Sequence, residues 1–299
     1  MTGSDALAPP CAPPDFAVRV PGLRLPANAC DCHAHVIGPA QRYPFIAERV
    51  YTPPDCLPSA YAHMRQVLGL PRAVLVQPSV YGTDNRLMLD TLAADPVNLR
   101  GVAVVAPDVP QQQLHDLHAA GVRGLRVNLV DRRDRDGKLP LDMLAALARR
   151  IAPMGWHLEL LVHVDEHAAE LAALGDLGVP VVLGHFGYQS IGAGGADAPG
   201  FQAMLRLLAG GSLWVKLTGP YRLTREGLPY AACDELAAAL RETAPHRLLW
   251  GSDWPHVMLK GRMPNDAELV ELLERWLPDA ALREQVLVRN PEVLYGFGG

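Results

Sequence analysis

Apolar runs of strand length alternate with longer stretches of helical period along most of the chain. The runs fall at 29–36, 72–79, 101–106, 124–129, 156–163, 179–186, 213–218 and 247–252. Between them lie amphipathic segments near 57–69, 84–95, 110–120, 140–153, 165–176, 199–210, 229–244 and 265–288. Runs this rich in Val, Ile and Leu are what strands covered on both faces look like. Eight strand–helix units in succession is the count of a (β/α)8 TIM barrel, an α/β fold closed in one domain. The competing architecture is a doubly wound open sheet. Its first turn would carry phosphate-cradling glycines, whereas the turn here is His35-Val36-Ile37-Gly38-Pro39. The Gly-rich stretch 192–195 opens no lysine-bearing helix and reads as a loop. Residues 1–27 are rich in Pro, Ala and Gly without a sustained period, which predicts a flexible arm draped over a domain spanning 28–299.

A barrel of this kind collects its chemistry at the C-terminal tips of the strands. In the first strand, Cys30-Asp31-Cys32-His33-Ala34-His35, alternation predicts Asp31, His33 and His35 on one face and Cys32 and Ala34 on the other. Two imidazoles two residues apart converge on one point, which suits a metal ion or a polarised water. The last strand supplies a carboxylate, Asp253. The other tips carry Gln77, Ser79, Arg126, Asn128, His163, His185 and Thr218. Each has an ordinary packing explanation. Their coincidence at equivalent positions does not, because unpaired buried polar groups cost stability. Alternation makes one further demand. If His163 and Thr218 point inward, so do Glu159 and Lys216 one layer below, and Glu159 needs an interior cation, Lys216 or Arg126. A one-residue shift of the fifth strand would instead send Glu159 outward.

Composition narrows the partners. The chain has 299 residues, 49% of them hydrophobic, enough for a large core. A formal net charge of -5 argues against nucleic acid or a membrane surface as partner. The five cysteines are odd in number and lack metal-knuckle spacing, so they read as reduced thiols of a cytoplasmic protein. No apolar run has the length of a membrane span, and the first residues lack a signal-peptide pattern. A homo-oligomer is compatible with all of this.

Four motifs carry a family resemblance: Asp31-x-His33-x-His35, Gly184-His185-Phe186-Gly187, Trp214-x-Lys216, and the closing run from Trp250 to Trp254-Pro255-His256. Together they resemble the amidohydrolase superfamily, and within it the branch containing 2-pyrone-4,6-dicarboxylate lactonase. The likeness runs from about residue 28 to Asn290-Pro291. The more discriminating matches are Val76-Gln77-x-Ser79 with Gly82-Thr83-Asp84-Asn85, Gly121-x-Arg123-Gly124-x-Arg126-x-Asn128, and Gly155-Trp156-His157. The resemblance implies that His33, His35, His185 and Asp253 surround a scissile carbonyl, with Asp253 as general base. It also implies that Arg126, Arg132 and Arg222 hold substrate carboxylates, with hydroxyl contacts from Tyr51 and Ser79. Arginine forks bind carboxylates bidentately, so the expected partner is a small anionic lactone or carboxylic acid.

Two departures bear on the cofactor. Leu161 stands where the lactonase has a tyrosine, and His163 replaces a residue that is not histidine there. Metal-dependent relatives such as the amino-carboxymuconate-semialdehyde decarboxylases complete a ligand set with a strand-5 histidine. By that resemblance His33, His35, His163 and Asp253 would bind Zn2+ or Mn2+. The metal-free pattern of the pyrone lactonase is the competing expectation. The reading is a lactone hydrolase of aromatic-acid catabolism acting on a multiply carboxylated ring-cleavage product. The alternatives are a metal-dependent non-oxidative decarboxylase of a related acid and a non-catalytic dicarboxylate binder.

Overall fold

The strands form where the apolar runs predict them, each shorter than its run. The computed structural model describes residues 8–131 and 137–297, with β1 Cys30–Ala34, β2 Arg72–Val76, β3 Leu99–Ala103, β4 Val122–Asn128, β5 His157–Leu161, β6 Val181–Leu183, β7 Leu213–Leu217 and β8 Leu248–Trp250. They pair in parallel and in chain order. The ends meet just beyond β8. A bridge joins Ala34 to Trp254, the Asp253 amide donates to the His33 carbonyl at 2.8 Å, and the His35 amide donates to the Trp254 carbonyl at 2.7 Å. The (β/α)8 barrel is therefore closed, and the same closure brings the first and last site residues together.

The two faces of the sheet bury different things. Outward Leu, Val and Ala side chains pack under the helices α1 Pro58–Leu68, α2 Arg86–Ala94, α3 Gln111–Ala119, α4 Leu141–Ile151, α5 Pro199–Ala209 and α6 Asp234–Thr243. Inward, Cys30, Cys32, Val74, Val76, Val102, Val182, Trp214 and Leu249 form a separate apolar cluster. Leu294, Tyr295 and Phe297 join it from the C-terminal end of the chain. Arg72 and Arg100, near the starts of β2 and β3, lie over the Phe297 ring, so this segment plugs the N-terminal mouth of the barrel. The site is left to the opposite mouth. All five cysteines are free thiols. Among the described residues no helix is long and apolar enough to cross a membrane.

Three expectations change. The segment 165–176 forms two 3-10 turns, Val164–Glu166 and Leu171–Asp176, instead of an α-helix. The start of α5 occupies the space, since Gly200 packs directly on the Val164 backbone and any side chain there would overlap it. The predicted helix 265–288 is divided into α7 Asp266–Glu271, α8 Leu273–Trp276 and α9 Ala280–Glu284, the last break falling at Pro278, and α10 Asn290–Tyr295 follows. The third change is in β1, where the pairing with β2 shifts between Asp31 and Ala34. That irregularity turns Asp31 outward while Cys30 and Cys32 face the interior, so Asp31 does not share the face of His33 and His35.

The described part of the arm is tied down. Residues 9–11 pair with Thr52, Arg19 binds Glu271 on α7, and Asp15 accepts from the Asn265 amide at 2.8 Å.

Candidate active site

The cup at the C-terminal mouth is built around Asp253. Its Oδ1 lies 3.6 Å from His33 Nε2, 3.8 Å from His35 Nε2 and 3.9 Å from His185 Nε2, and all four residues are buried. The rings of His35 and His185 meet that of His33 edge-on at 5.1 and 5.0 Å. Asp253 and His185 both adopt positive φ, 63° and 50°, which only surrounding structure sustains in non-glycine residues. Gly219 makes the crowding possible: a Cβ there would lie 2.6 Å from His185 Nδ1. Asp31, although outside the cup, aims it. Its carboxylate accepts from the Ser252 amide and hydroxyl at 2.9 and 2.6 Å and from Tyr61 on α1 at 2.9 Å, which locks β1 to the residue preceding Asp253.

Electrostatics fixes the protonation states. Burial lowers the histidines, His35 to about 4, His185 to about 3 and His33 well below its ordinary value. They are neutral near pH 7. Burial is the largest influence on Asp253 and opposes its charge; Arg222, whose Nε donates to Oδ2 at 2.8 Å, is the strongest opposing one and with His185, His33 and His35 holds the carboxyl well below the usual range. Neighbouring imidazoles add to this only when protonated; the guanidinium acts at every working pH.

A layer below, Lys216 Nζ reaches Glu159 Oε2 at 2.6 Å, and Glu159 Oε1 lies 3.2 Å from His33 Nδ1. The pair predicted from alternation is present, on Lys216 and not on Arg126. His33 Nδ1 sits between the two charges, 3.2 Å from Glu159 Oε1 and 3.3 Å from Lys216 Nζ; with its hydrogen on Nδ1, towards Glu159, Nε2 faces the cup as a lone pair. His35 is set the same way, its Nδ1 lying 2.7 Å from the Val76 carbonyl. His33 Nε2 and Asp253 Oδ1 are buried with no hydrogen-bond partner among the described residues. The ligand atoms of His33, His35 and Asp253 all lie within 4.8 Å of one another. Two imidazole nitrogens and a carboxylate oxygen, convergent and with two of the three unsatisfied, fit a divalent metal ion.

Comparison with known proteins agrees with this geometry. The amidohydrolase family model matches residues 30–297. The chain belongs to the amidohydrolase family. It is 37% identical over 288 residues to the 2-pyrone-4,6-dicarboxylate hydrolase of Comamonas testosteroni, covering 92% of each chain. It is 36% identical over 304 residues to the 4-sulfomuconolactone hydrolase of Rhizobium radiobacter, covering 99% of each. A crystal structure from Acinetobacter baumannii, assigned as a 2-pyrone-4,6-dicarboxylic acid hydrolase with citric acid bound, superposes with a TM-score of 0.79 at 29% identity, over 90% of this chain and 100% of that one.

The remaining site residues of this amidohydrolase divide three ways. Arg126 is buried on β4, gives one N–H to the Gln77 carbonyl at 2.7 Å, and has no other hydrogen bond among the described residues. Tyr51 is buried, its hydroxyl pushed up to about 12 by that burial, and stands 3.5 Å from the Ser79 hydroxyl. Arg132 lies outside the described residues. Three predicted site residues have other partners in this structure. His163 is not in the convergent group; β5 ends at Leu161, and the His163 Nδ1 lies 3.3 Å from the Tyr188 carbonyl. Asn128 shapes its own loop, accepting from the amides of Val130 and Asp131 and donating to the Asp131 carboxylate at 2.6 Å. Arg222 is paired with Asp253 in place of standing as a free anion fork. Residues absent from the predicted site also gather here. Tyr188 packs edge-on against His163 and His185, and Tyr221 donates to Asp253 Oδ2 at 2.6 Å. Tyr221 adjoins a predicted arginine, but no spacing rule marks it.

Proposed function

We propose that this amidohydrolase opens the ring of a small anionic lactone, with Asp253 as the general base. The observation that carries the reading is Oδ1 of Asp253, an ionised and unsatisfied carboxylate oxygen ringed by three neutral imidazoles. Such an oxygen can take a proton from water. As it does so, the water oxygen forms a bond to the lactone carbonyl. Collapse of the tetrahedral adduct breaks the ring C–O bond, and Asp253 returns the proton to the departing oxygen. His185, with Nδ1 facing the Thr218 carbonyl at 3.4 Å, presents Nε2 to accept the second water hydrogen. A divalent ion, Zn2+ or Mn2+, held by His33 Nε2, His35 Nε2 and Asp253 Oδ1, would supply Lewis-acid polarisation of the carbonyl. The two lone-pair nitrogens support it, because they can accept but cannot donate to a developing oxyanion.

Arg126 anchors the substrate's acidic group, with Tyr51 and Ser79 beside it. Both relatives named above act on lactones bearing carboxylate or sulfonate groups, by their names, and the relative from Acinetobacter baumannii holds citric acid. A third relative, the D-galactarolactone isomerase of Agrobacterium fabrum, is 29% identical. The test is a panel of 2-pyrone-4,6-dicarboxylate, 4-sulfomuconolactone and a neutral lactone, with metal content measured on the same protein. The expected product is the ring-opened acid, from protein carrying close to one equivalent of metal and slowed by chelator. Released CO2 would identify a decarboxylase, an isomeric lactone would identify an isomerase, and binding without turnover would leave a dicarboxylate binder. Full lactonase activity after metal removal would return the site to the metal-free pattern.

A further inference from the structure

Behind Asp253 a line of polar groups leads away from the cup. The Tyr221 hydroxyl lies 2.6 Å from Asp253 Oδ2 and 3.0 Å from His256 Nδ1, and His256 Nε2 lies 3.2 Å from Asp266 Oδ1. His256 and Asp266 are fully buried, and among the described residues neither Asp266 oxygen nor His256 Nε2 makes a hydrogen bond, so the 3.2 Å approach is the one polar contact shown for the carboxylate. A buried carboxylate at the start of α7 with a single partner is costly unless that contact has a purpose.

Hydrogen bookkeeping fixes the direction of the line. The phenol has one hydrogen, and Oδ2 of an ionised Asp253 can only accept, so at 2.6 Å the phenol donates to it. The phenol oxygen must then accept from His256, which requires hydrogen on Nδ1. Whichever of Nε2 and Asp266 Oδ1 holds the proton between them, Nδ1–H remains. The Tyr221 hydroxyl therefore requires the hydrogen on His256 Nδ1, Asp266 faces the opposite ring nitrogen and holds the ring in place, His256 orients the Tyr221 hydroxyl, and Tyr221 and Arg222 together occupy Oδ2. Oδ1 is left as the one free oxygen, aimed at the imidazoles. The turn that carries both ends is held in sparsely populated backbone, with φ 63° at Asp253 and 60° at His256.

We propose that Tyr221, His256 and Asp266 are positioning residues that hold the Asp253 carboxylate in its reactive orientation without touching substrate. The inference rests on the general-base reading of Asp253. On the lactone that wild type turns over, Tyr221→Phe and His256→Leu should lower kcat about 10- to 100-fold and change KM less than about threefold. His256→Asn, whose amide nitrogen can stand near the Nδ1 position, should recover much of that loss. Unchanged kcat per folded molecule with only a lower melting temperature would make the set structural, and a large rise in KM would place Tyr221 on the substrate; either result overturns the proposal. A second readout does not depend on turnover. In histidine-15N-labelled protein, an exchange-protected His256 Nδ1–H resonance should shift on Asp253→Asn and cease to respond to that change once Tyr221 is Phe. An Nδ1 without hydrogen, or a response that survives Tyr221→Phe, overturns the relay whatever the substrate proves to be. A wild type that turns over no lactone while the coupled resonance is present would defeat the lactonase reading alone.

Discussion

Two carboxylates lie in neighbouring layers of this barrel, equally buried and differently used. Glu159 belongs to the lower layer. Burial alone would push its carboxyl up, but Lys216 at 2.6 Å more than offsets that and holds it below the ordinary value. Its second oxygen faces His33 Nδ1, so its acceptor capacity is directed at partners. Asp253 belongs to the upper layer. Burial again opposes its charge and is again offset, here by Arg222 together with the surrounding imidazoles, but only Oδ2 is committed while Oδ1 has no hydrogen bond. The difference is what separates a support from a site. A satisfied buried pair adds rigidity, whereas a preorganised and unsatisfied atom is available to a substrate or a metal. The two layers meet at His33, whose one nitrogen belongs to each.

The sharpest break in the comparison is chemical. Asp253→Asn keeps the shape and removes proton affinity, so kcat should fall by about 10²–10⁴-fold, with ligand affinity little altered. Retention of more than about a tenth of the rate would remove Asp253 from the base role assigned to it. The equivalent change below should act on stability. Glu159→Leu strands a buried ammonium and should cost ~3–5 kcal/mol in urea unfolding; adding Lys216→Met should restore part of it, the non-additive result expected for a pair. Equal stability of Glu159→Leu and the parent would mean that the pair contributes nothing.

A third prediction sharpens the comparison through pH. His157 shares the lower layer, and burial lowers it to about 4 despite the nearby Glu159. A histidine depressed on folding binds its proton more readily when unfolded. Its contribution is therefore complete above the unfolded pKa of about 6.5 and declines as pH falls towards 4, by roughly 3 kcal/mol in all. Replacing it with Gln should flatten the stability profile across that window by up to one proton; an unchanged slope would show that His157 titrates normally. The smallest effect is expected from substrate anchoring. Arg126→Met should raise KM by the equivalent of about 1.5–3 kcal/mol for a charge-assisted bond, with a neutral ester of the lactone nearly indifferent. Equal losses for acid and ester would make Arg126 structural.

Much of this was legible because the signals were local or periodic. The eight strand runs were each long enough to stand out, and their polar tips named His33, His35, His185 and Asp253. Even the buried Glu159–Lys216 pair followed from period-two alternation on two strands. Alternation failed at Asp31, where an irregularity in β1 reverses the facing of half a strand. It says less about His163 and Asn128, which lie at or beyond strand ends, where the loop and not the pleat directs the side chain.

The sequence by itself therefore determined the barrel, its number of strands, the mouth that carries the chemistry and the residue types gathered there. Periodicity and composition act within a few residues of chain and need no partner to be read. Only the tertiary structure decided which oxygen of Asp253 is free, that Arg222 is spent on it, that Asp31 clamps β1 to Ser252, and that Tyr221, His256 and Asp266 stand behind it. Those contacts join residues far apart in the chain, and each is chosen by hydrogen-bond geometry that exists only once the barrel has closed.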